Sequence, residues 1–344
     1  MSSALPVAIE DSCAWRGPEI RGDSRWMRRF DDAELAELAR AVDAVRGARP
    51  FEFGAVDFPL PTLGPALRAI ARDLESGLGL VHLRGLDLDG LSTDDIDRLY
   101  AGIGCHLGHV ITQNTRGDRI GRVTDRGTDY SQAAQRGHTS NGEILPHCDT
   151  ADVVGLLCVH PAMRGGESKV ASAVTVYNEI AARHPEYLPV LHRGFRINLA
   201  GKGPSGDPEE CSNHVIPVFS HFAGRLSCRY NKKQIEDAAR ILGHTLSPLE
   251  QAAIAAVGDI AMRDDVRLDM DFRRGDIQLL NNHALLHARG AYDDGPDPER
   301  RRLLLRMWIN IPESRPLAPE FADRLNTGPR GEVAVLRGRT NSSS

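Results

Sequence analysis

The sequence predicts a mainly β chain with flanking helices, its strands arranged as in a sandwich or barrel. Three observations carry this: a helix-rich first third, a series of short apolar runs from position 153 onward, and a length of 344 residues, which buries a large core without disulfides. In the first third, residues 32–45 (DAELAELARAVDAV), 62–77 and 92–105 repeat apolar side chains at helical spacing. Asp or Ser/Thr stands ahead of the first and third as an N-cap. Leu80 to Leu83 reads as a short strand between the last two helices. Then VVGLLCV (153–159), SKVAS (168–172), FRINLA (195–200), HVIPVF (214–219), RLSCRY (225–230), VRLDMDF (266–272), DIQLLNN (276–282) and LLLRMWINI (303–311) follow, separated by Gly, Pro and Asp clusters as strands are. Helical patterns at 174–183, 232–242 and 247–262 interrupt the series. Residues 1–22 and 327–344 are expected to be loosely held ends of one domain spanning 23–326.

Basic and acidic residues number 42 and 47, and a formal charge of −5 leaves no electrostatic footprint for nucleic acid or an anionic membrane surface. Lys169, Lys202, Lys232 and Lys233 are the lysines, and the skew toward Arg lowers the weight of any single Arg. No stretch reaches the roughly 18 consecutive apolar residues of a membrane span, and the N-terminus lacks a basic segment followed by an apolar run. The six Cys are scattered with no C-x-x-C pair, which argues for free thiols over a zinc ribbon or a disulfide framework. A cytoplasmic protein acting on a small-molecule substrate, with no nucleic-acid or membrane partner, is expected.

The stretch 111–146 is polar, Gly-rich and without a clear period, too long for an idle connection, and reads as a substrate-binding loop or lid. Gln113 and His138 are its foremost candidates for substrate contact, among Asn114, Arg116, Asp125, Arg126, Asp129, Tyr130 and Arg136. That mixture suits a small polar substrate, a carboxylate or amino-acid-derived metabolite. Its few aromatic residues argue against a large flat or lipidic one.

Immediately after the loop, PHCDT (146–150) places His147 and Asp149 two apart, so that on a strand edge both side chains leave the same face. A third ligand from a distant strand would complete a two-His-one-carboxylate facial triad, with positions left open on Fe(II). H-x-D alone is weak in a chain with 13 His and many Asp. Three further pieces follow in order. GGES (165–168) is a turn that delivers the Ser168 hydroxyl into the next strand. GDIQLLNNHALLHARG (275–290) puts a strand ahead of His283 and His287. RRLLLRMWI (301–309) is a strand on which Arg302 and Arg306 share a face.

This ordered series resembles the TauD/TfdA family of Fe(II)- and 2-oxoglutarate-dependent oxygenases, its taurine dioxygenase and clavaminate synthase branch, over about residues 62–312. The resemblance implies a double-stranded β-helix, a clavaminate synthase-like jelly-roll of two sheets with the metal between them near one mouth. It implies that His147, Asp149 and His287 are the iron ligands, His287 because the family's ligand closes an N-x-x-x-L-H segment that NHALLH matches. Ser168 stands where the family usually has a Thr that helps hold 2-oxoglutarate. Arg302 stands where a guanidinium pairs with the distal carboxylate of that cosubstrate, a role suited to Arg's rigid fork. Arg306 matches a position that in some members meets an anionic group of the substrate. Cys148 replaces the commoner Thr between the ligands and is expected to point away from the metal as a small buried hydrophobe.

The implied reaction couples oxidative decarboxylation of 2-oxoglutarate by dioxygen to oxidation of one substrate C–H bond, with hydroxylation as the default. Desaturation, cyclisation or stereoinversion are the alternatives within the family. A catalytically silent metal-binding or sensor protein on the same fold is the alternative outside it, against which the intact ligands and cosubstrate contacts argue.

Overall fold

The computed structural model describes residues 8–127, 140–295, 297 and 300–336. Its strands are β1 (Met27–Arg29), β2 (Leu80–Arg84), β3 (His109–Ile111), β4 (Ile120–Val123), β5 (Ile144–His147), β6 (Val153–His160), β7 (Arg164–Gly165), β8 (Ser168–Ser172), β9 (Phe219–Phe222), β10 (Arg225–Cys228), β11 (Leu268–Met270), β12 (Ile277–Asn281), β13 (Leu285–Arg289), β14 (Tyr292–Asp293) and β15 (Leu303–Asn310). The helices are α1 (Gly17–Ile20), α2 (Asp32–Ala44), α3 (Leu63–Ser76), α4 (Thr93–Leu107), α5 (Ala173–Arg183), α6 (Leu188–Arg193), α7 (Lys232–Ile241), α8 (Pro248–Ala261) and α9 (Pro319–Ala322).

Local chemistry starts the longer helices where the sequence places them. Asp31 accepts from the Glu34 N–H while Glu34 reaches back to the Asp31 N–H, a capping box at α2, and Ser247 with Glu250 repeats it at α8. Ser92 caps α4 by accepting from the Asp95 N–H.

Period-two alternation assigns the faces of the large sheet, whose order is β1-β2-β12-β6-β15-β3, with β4 also paired to β15. Leu305, Met307 and Ile309 of β15 join Leu157 of β6 and Ile277 and Leu279 of β12 in one core with Leu38, Leu67 and Leu99 from α2, α3 and α4. The intervening Leu304 and Arg306 face the other way, into a cavity. On that inner side Val154, Leu280 and Trp308 share a second core with Val170 and Leu286 of the small sheet, ordered β11-β8-β13-β5. Helices α5 and α8 cover the small sheet through Val176, Ile180, Ile254 and Val257. The two sheets closed on each other form the double-stranded β-helix expected from the sequence. Among the described residues no helix is long and apolar enough to cross a membrane.

Three expectations are corrected. FRINLA and HVIPVF are not strands up to Val218. Phe195 and Ile216 form an isolated bridge, Asn198 and Cys211 another, and the backbone N–H groups of Asn198 and Leu199 go to the carbonyls of Gln234, in the first turn of α7, and Glu210. Pro217 supplies no N–H for a ladder there. The stretch 111–146 is not one loop, because β4 lies inside it, pairing antiparallel with β15 from Met307↔Ile120 to Leu304↔Val123, and β5 begins at Ile144. A four-residue run is too short to reveal a period. The ends are not loose where they are described: Cys13, Trp15 and Ile20 are buried, and the Trp15 indole donates to the Leu78 carbonyl at 2.8 Å. At the other end Val333 is buried and its carbonyl accepts from the Thr112 hydroxyl. His138, with Asp129, Tyr130 and Arg136, lies outside the described residues.

Candidate active site

Strands β5 and β13 are antiparallel neighbours, and their register sets His147 directly opposite His287, with ring centroids 4.2 Å apart. Asp149, two residues beyond His147, returns its carboxylate to the same side. One ligand atom from each of the three side chains lies within 4.8 Å of the others. The Trp308 indole donates to Asp149 Oδ2 at 2.9 Å, Arg306 Nη1 lies 3.6 Å from the same oxygen, and His287 Nε2 lies 3.8 Å from it. The Asp149 backbone is held too: its N–H donates to Asn282 Oδ1 at 3.1 Å, and its carbonyl accepts from the Arg229 guanidinium at 3.1 Å.

The electrostatics suit a cation. Burial alone would raise the Asp149 carboxyl, but Arg306, both imidazoles and the indole hydrogen bond outweigh it and hold the carboxyl below its ordinary range. Burial lowers His147, and burial with the neighbouring His147 ring pushes His287 down to about 3. Both rings are thus neutral and the carboxylate is charged, the forms that ligate metal. His147 Nδ1 faces the Leu145 carbonyl at 2.9 Å, which leaves Nε2 for coordination. Two imidazoles and one carboxylate on one side of a cavity fit Fe(II) with open positions.

The same cavity is also lined by Ser168, Arg302 and Arg289. The turn before Ser168 needs its glycines: Gly165 and Gly166 have φ of +70° and +76°, and a Cβ on Gly165 would sit 2.4 Å from the Ala291 carbonyl oxygen. Ser168 accepts from Gln278 Nε2 at 2.9 Å, a hydrogen bond that joins the small sheet to the large one. The Arg302 guanidinium is buried 5.0 Å from the centre of the Tyr292 ring, and its Nη1 has no hydrogen-bond partner among the described residues. A buried guanidinium nitrogen without an acceptor is costly unless an anion completes it, so Arg302 fits a carboxylate. Arg306 lies over the Trp308 ring at 4.8 Å and donates from Nε to Gln113 Oε1 at 2.8 Å.

Residues 38–308 match the family described as taurine catabolism dioxygenase TauD, TfdA family. The chain belongs to the TauD/TfdA family of dioxygenases. FR-33289 synthase of Streptomyces rubellomurinus is 30% identical over 98% of this chain and 99% of its own length. A uridine-5'-phosphate dioxygenase of a Streptomyces species is 32% identical over 54% of this chain and 65% of its own. Among solved structures, an asparagine oxygenase in complex with Fe(II), 2S,3S-3-hydroxyasparagine and succinate superimposes with a TM-score of 0.66 at 16% identity, over 83% of this chain and 94% of that one. This TauD/TfdA dioxygenase is thus an iron- and 2-oxoglutarate-dependent oxygenase.

In this TauD/TfdA dioxygenase the residues singled out from the sequence divide into three groups. His147, Asp149, His287, Ser168, Arg302 and Arg306 converge on one cavity. His283 does not, since β12 ends at Asn281 and its ring turns to Asp152, with Nε2 2.9 Å from Oδ1. Gln113 stands behind Arg306: its buried amide donates to the carbonyls of Arg119 and Arg306 at 2.7 and 2.8 Å and accepts from the Arg306 guanidinium, so it positions that arginine. Cys148 is buried, as expected, with its thiol toward the Leu285 carbonyl. Trp308 and Arg289 went unnoticed. Alternation carries both signals: Trp308 is two residues beyond Arg306 on β15, and Arg289 two beyond His287 on β13.

Proposed function

We propose that this dioxygenase hydroxylates a small anionic metabolite, with His147, Asp149 and His287 holding Fe(II) and Ser168 and Arg302 holding 2-oxoglutarate. The observation that carries the reading is the convergence of three ligand atoms within 4.8 Å on a cavity that also holds the unpartnered Arg302 Nη1. Iron held there would let dioxygen act as the four-electron oxidant, two electrons coming from decarboxylation of 2-oxoglutarate to succinate and carbon dioxide and two from one substrate C–H bond. The chain's residues bind and orient. Arg302 fixes the cosubstrate's distal end, and Trp308 orients the Asp149 carboxylate. Arg306, held by Gln113, offers positive charge to an anionic group of the substrate. A small polar substrate, carboxylate or amino-acid-derived, suits this cavity, and asparagine and uridine 5'-phosphate, in the names of two relatives, are small and polar.

The test is stimulation of succinate release by panels of small carboxylates, amino acids and phosphate esters. At least one class is expected to raise release above the substrate-free rate, and no stimulation by any of them contradicts the substrate reading. Arg306→Ala is expected to lose that stimulation while retaining slow, substrate-independent decay of 2-oxoglutarate. Loss of the decay as well assigns Arg306 to the metal site. Trp308→Phe keeps the ring and deletes the hydrogen bond to Asp149. Partners behind a metal ligand are worth about 10- to 100-fold in affinity, so a drop of that size is expected in an anaerobic Fe(II) titration.

A further inference from the structure

Arg289 carries a buried guanidinium that neither the metal ligands nor the substrate reading uses. It stands two residues beyond His287 on β13, so both side chains enter the same cavity. Its register partner in β8 is Ser168. The residue is 6% exposed, and Nη2 donates to the carbonyls of Ser140 and Gly142. Among the described residues Nε and Nη1, like Nη1 of Arg302, have no hydrogen-bond partner. The two guanidiniums share one aromatic ring, Tyr292, whose centre is 4.7 Å from Arg289 and 5.0 Å from Arg302. Among the described residues no carboxylate forms an ion pair with either. Asp294 accepts the Arg302 backbone N–H and attracts both guanidiniums only from beyond ion-pair distance, as Asp125 does Arg289.

Two like charges on one buried ring repel, and each unpartnered donor carries its desolvation cost until an anion meets it. A carboxylate presents two oxygens with about four acceptor sites, enough for two guanidiniums at once. We propose that Arg289 and Arg302 form a two-guanidinium clamp on the distal carboxylate of 2-oxoglutarate, with Arg289 as the second arm. The proposal rests on the reading of Ser168 and Arg302 as the cosubstrate anchor. Both arms lie against Tyr292, and the carbonyls of Ser140 and Gly142 hold Arg289 in place.

The experiment titrates the anaerobic Fe(II)-loaded protein with 2-oxoglutarate, and in parallel with pyruvate, which has the same keto-acid head and no distal carboxylate. Binding is read from the visible metal-to-keto-acid charge-transfer band. Arg289→Gln is expected to weaken 2-oxoglutarate about tenfold or more, the scale of a lost charge-assisted hydrogen bond. Pyruvate affinity is expected to stay as in the wild type, and Arg289→Lys to recover part of the loss. Unchanged 2-oxoglutarate affinity in Arg289→Gln overturns the clamp. So does an equal loss for both keto acids, which assigns Arg289 to holding the backbone at 140–142. A wild-type protein that binds 2-oxoglutarate no better than pyruvate overturns the cosubstrate reading itself, and the clamp with it.

Discussion

Alanine at His147, Asp149 or His287 is expected to abolish stable iron binding and to bring 2-oxoglutarate turnover to background. Each substitution leaves two ligands where the site has three within 4.8 Å. Losing a ligand costs more than losing a partner behind one, which alone is worth about 10- to 100-fold. His283→Ala is expected to keep the iron, because that ring is committed to Asp152 at 2.9 Å and stands outside the cavity. Its effect falls on stability. Asp152 keeps the Ile311 N–H and the Arg330 guanidinium, and the lost buried hydrogen bond costs about 1–3 kcal/mol. Iron content after anaerobic reconstitution, succinate release and thermal unfolding separate the four variants. Iron retained by His287→Ala and lost by His283→Ala reverses the assignment.

Arg302→Ala is expected to raise the KM for 2-oxoglutarate about 10- to 150-fold, the equivalent of a charge-assisted pair worth about 1.5–3 kcal/mol. Arg302→Lys keeps the charge without the planar fork and should also bind the cosubstrate more weakly than the wild type. Ser168→Ala should cost less, about 1 kcal/mol for one neutral hydrogen bond. Its hydroxyl is shared with Gln278, so part of that cost is structural. KM measured at saturating iron and oxygen checks the ranking, and equal small effects at both positions contradict the cosubstrate assignment.

What could be read from residue order was whatever repeats or spaces itself locally. Short apolar runs bounded by turn residues in DIQLLNN and LLLRMWINI mark β12 and β15, and the turn glycines of GGES mark the start of β8 at Ser168. His147 and Asp149 were legible because two residues suffice to bring them to one face. What depends on pairing between distant strands was not. The contacts of Trp308 with Asp149 and of Asn282 with the Asp149 N–H need β15 and the β12–β13 turn in place before they exist. The same holds for Gln113, whose position in a polar stretch suggests exposure but whose amide is consumed by Arg119 and Arg306. FRINLA has the composition of a strand and is buried without a ladder, because burial of an apolar run does not by itself supply a partner edge.

The central claim is that one cavity joins the iron ligands to a cosubstrate anchor. A crystal grown anaerobically with Fe(II) and 2-oxoglutarate, with diffraction recorded on both sides of the iron absorption edge, tests it most directly. The account predicts one anomalous peak bounded by His147, Asp149 and His287, with the keto acid on the metal and its distal carboxylate at Arg302. An iron peak away from those three side chains, or a cosubstrate whose distal carboxylate meets Arg306 instead of Arg302, contradicts it.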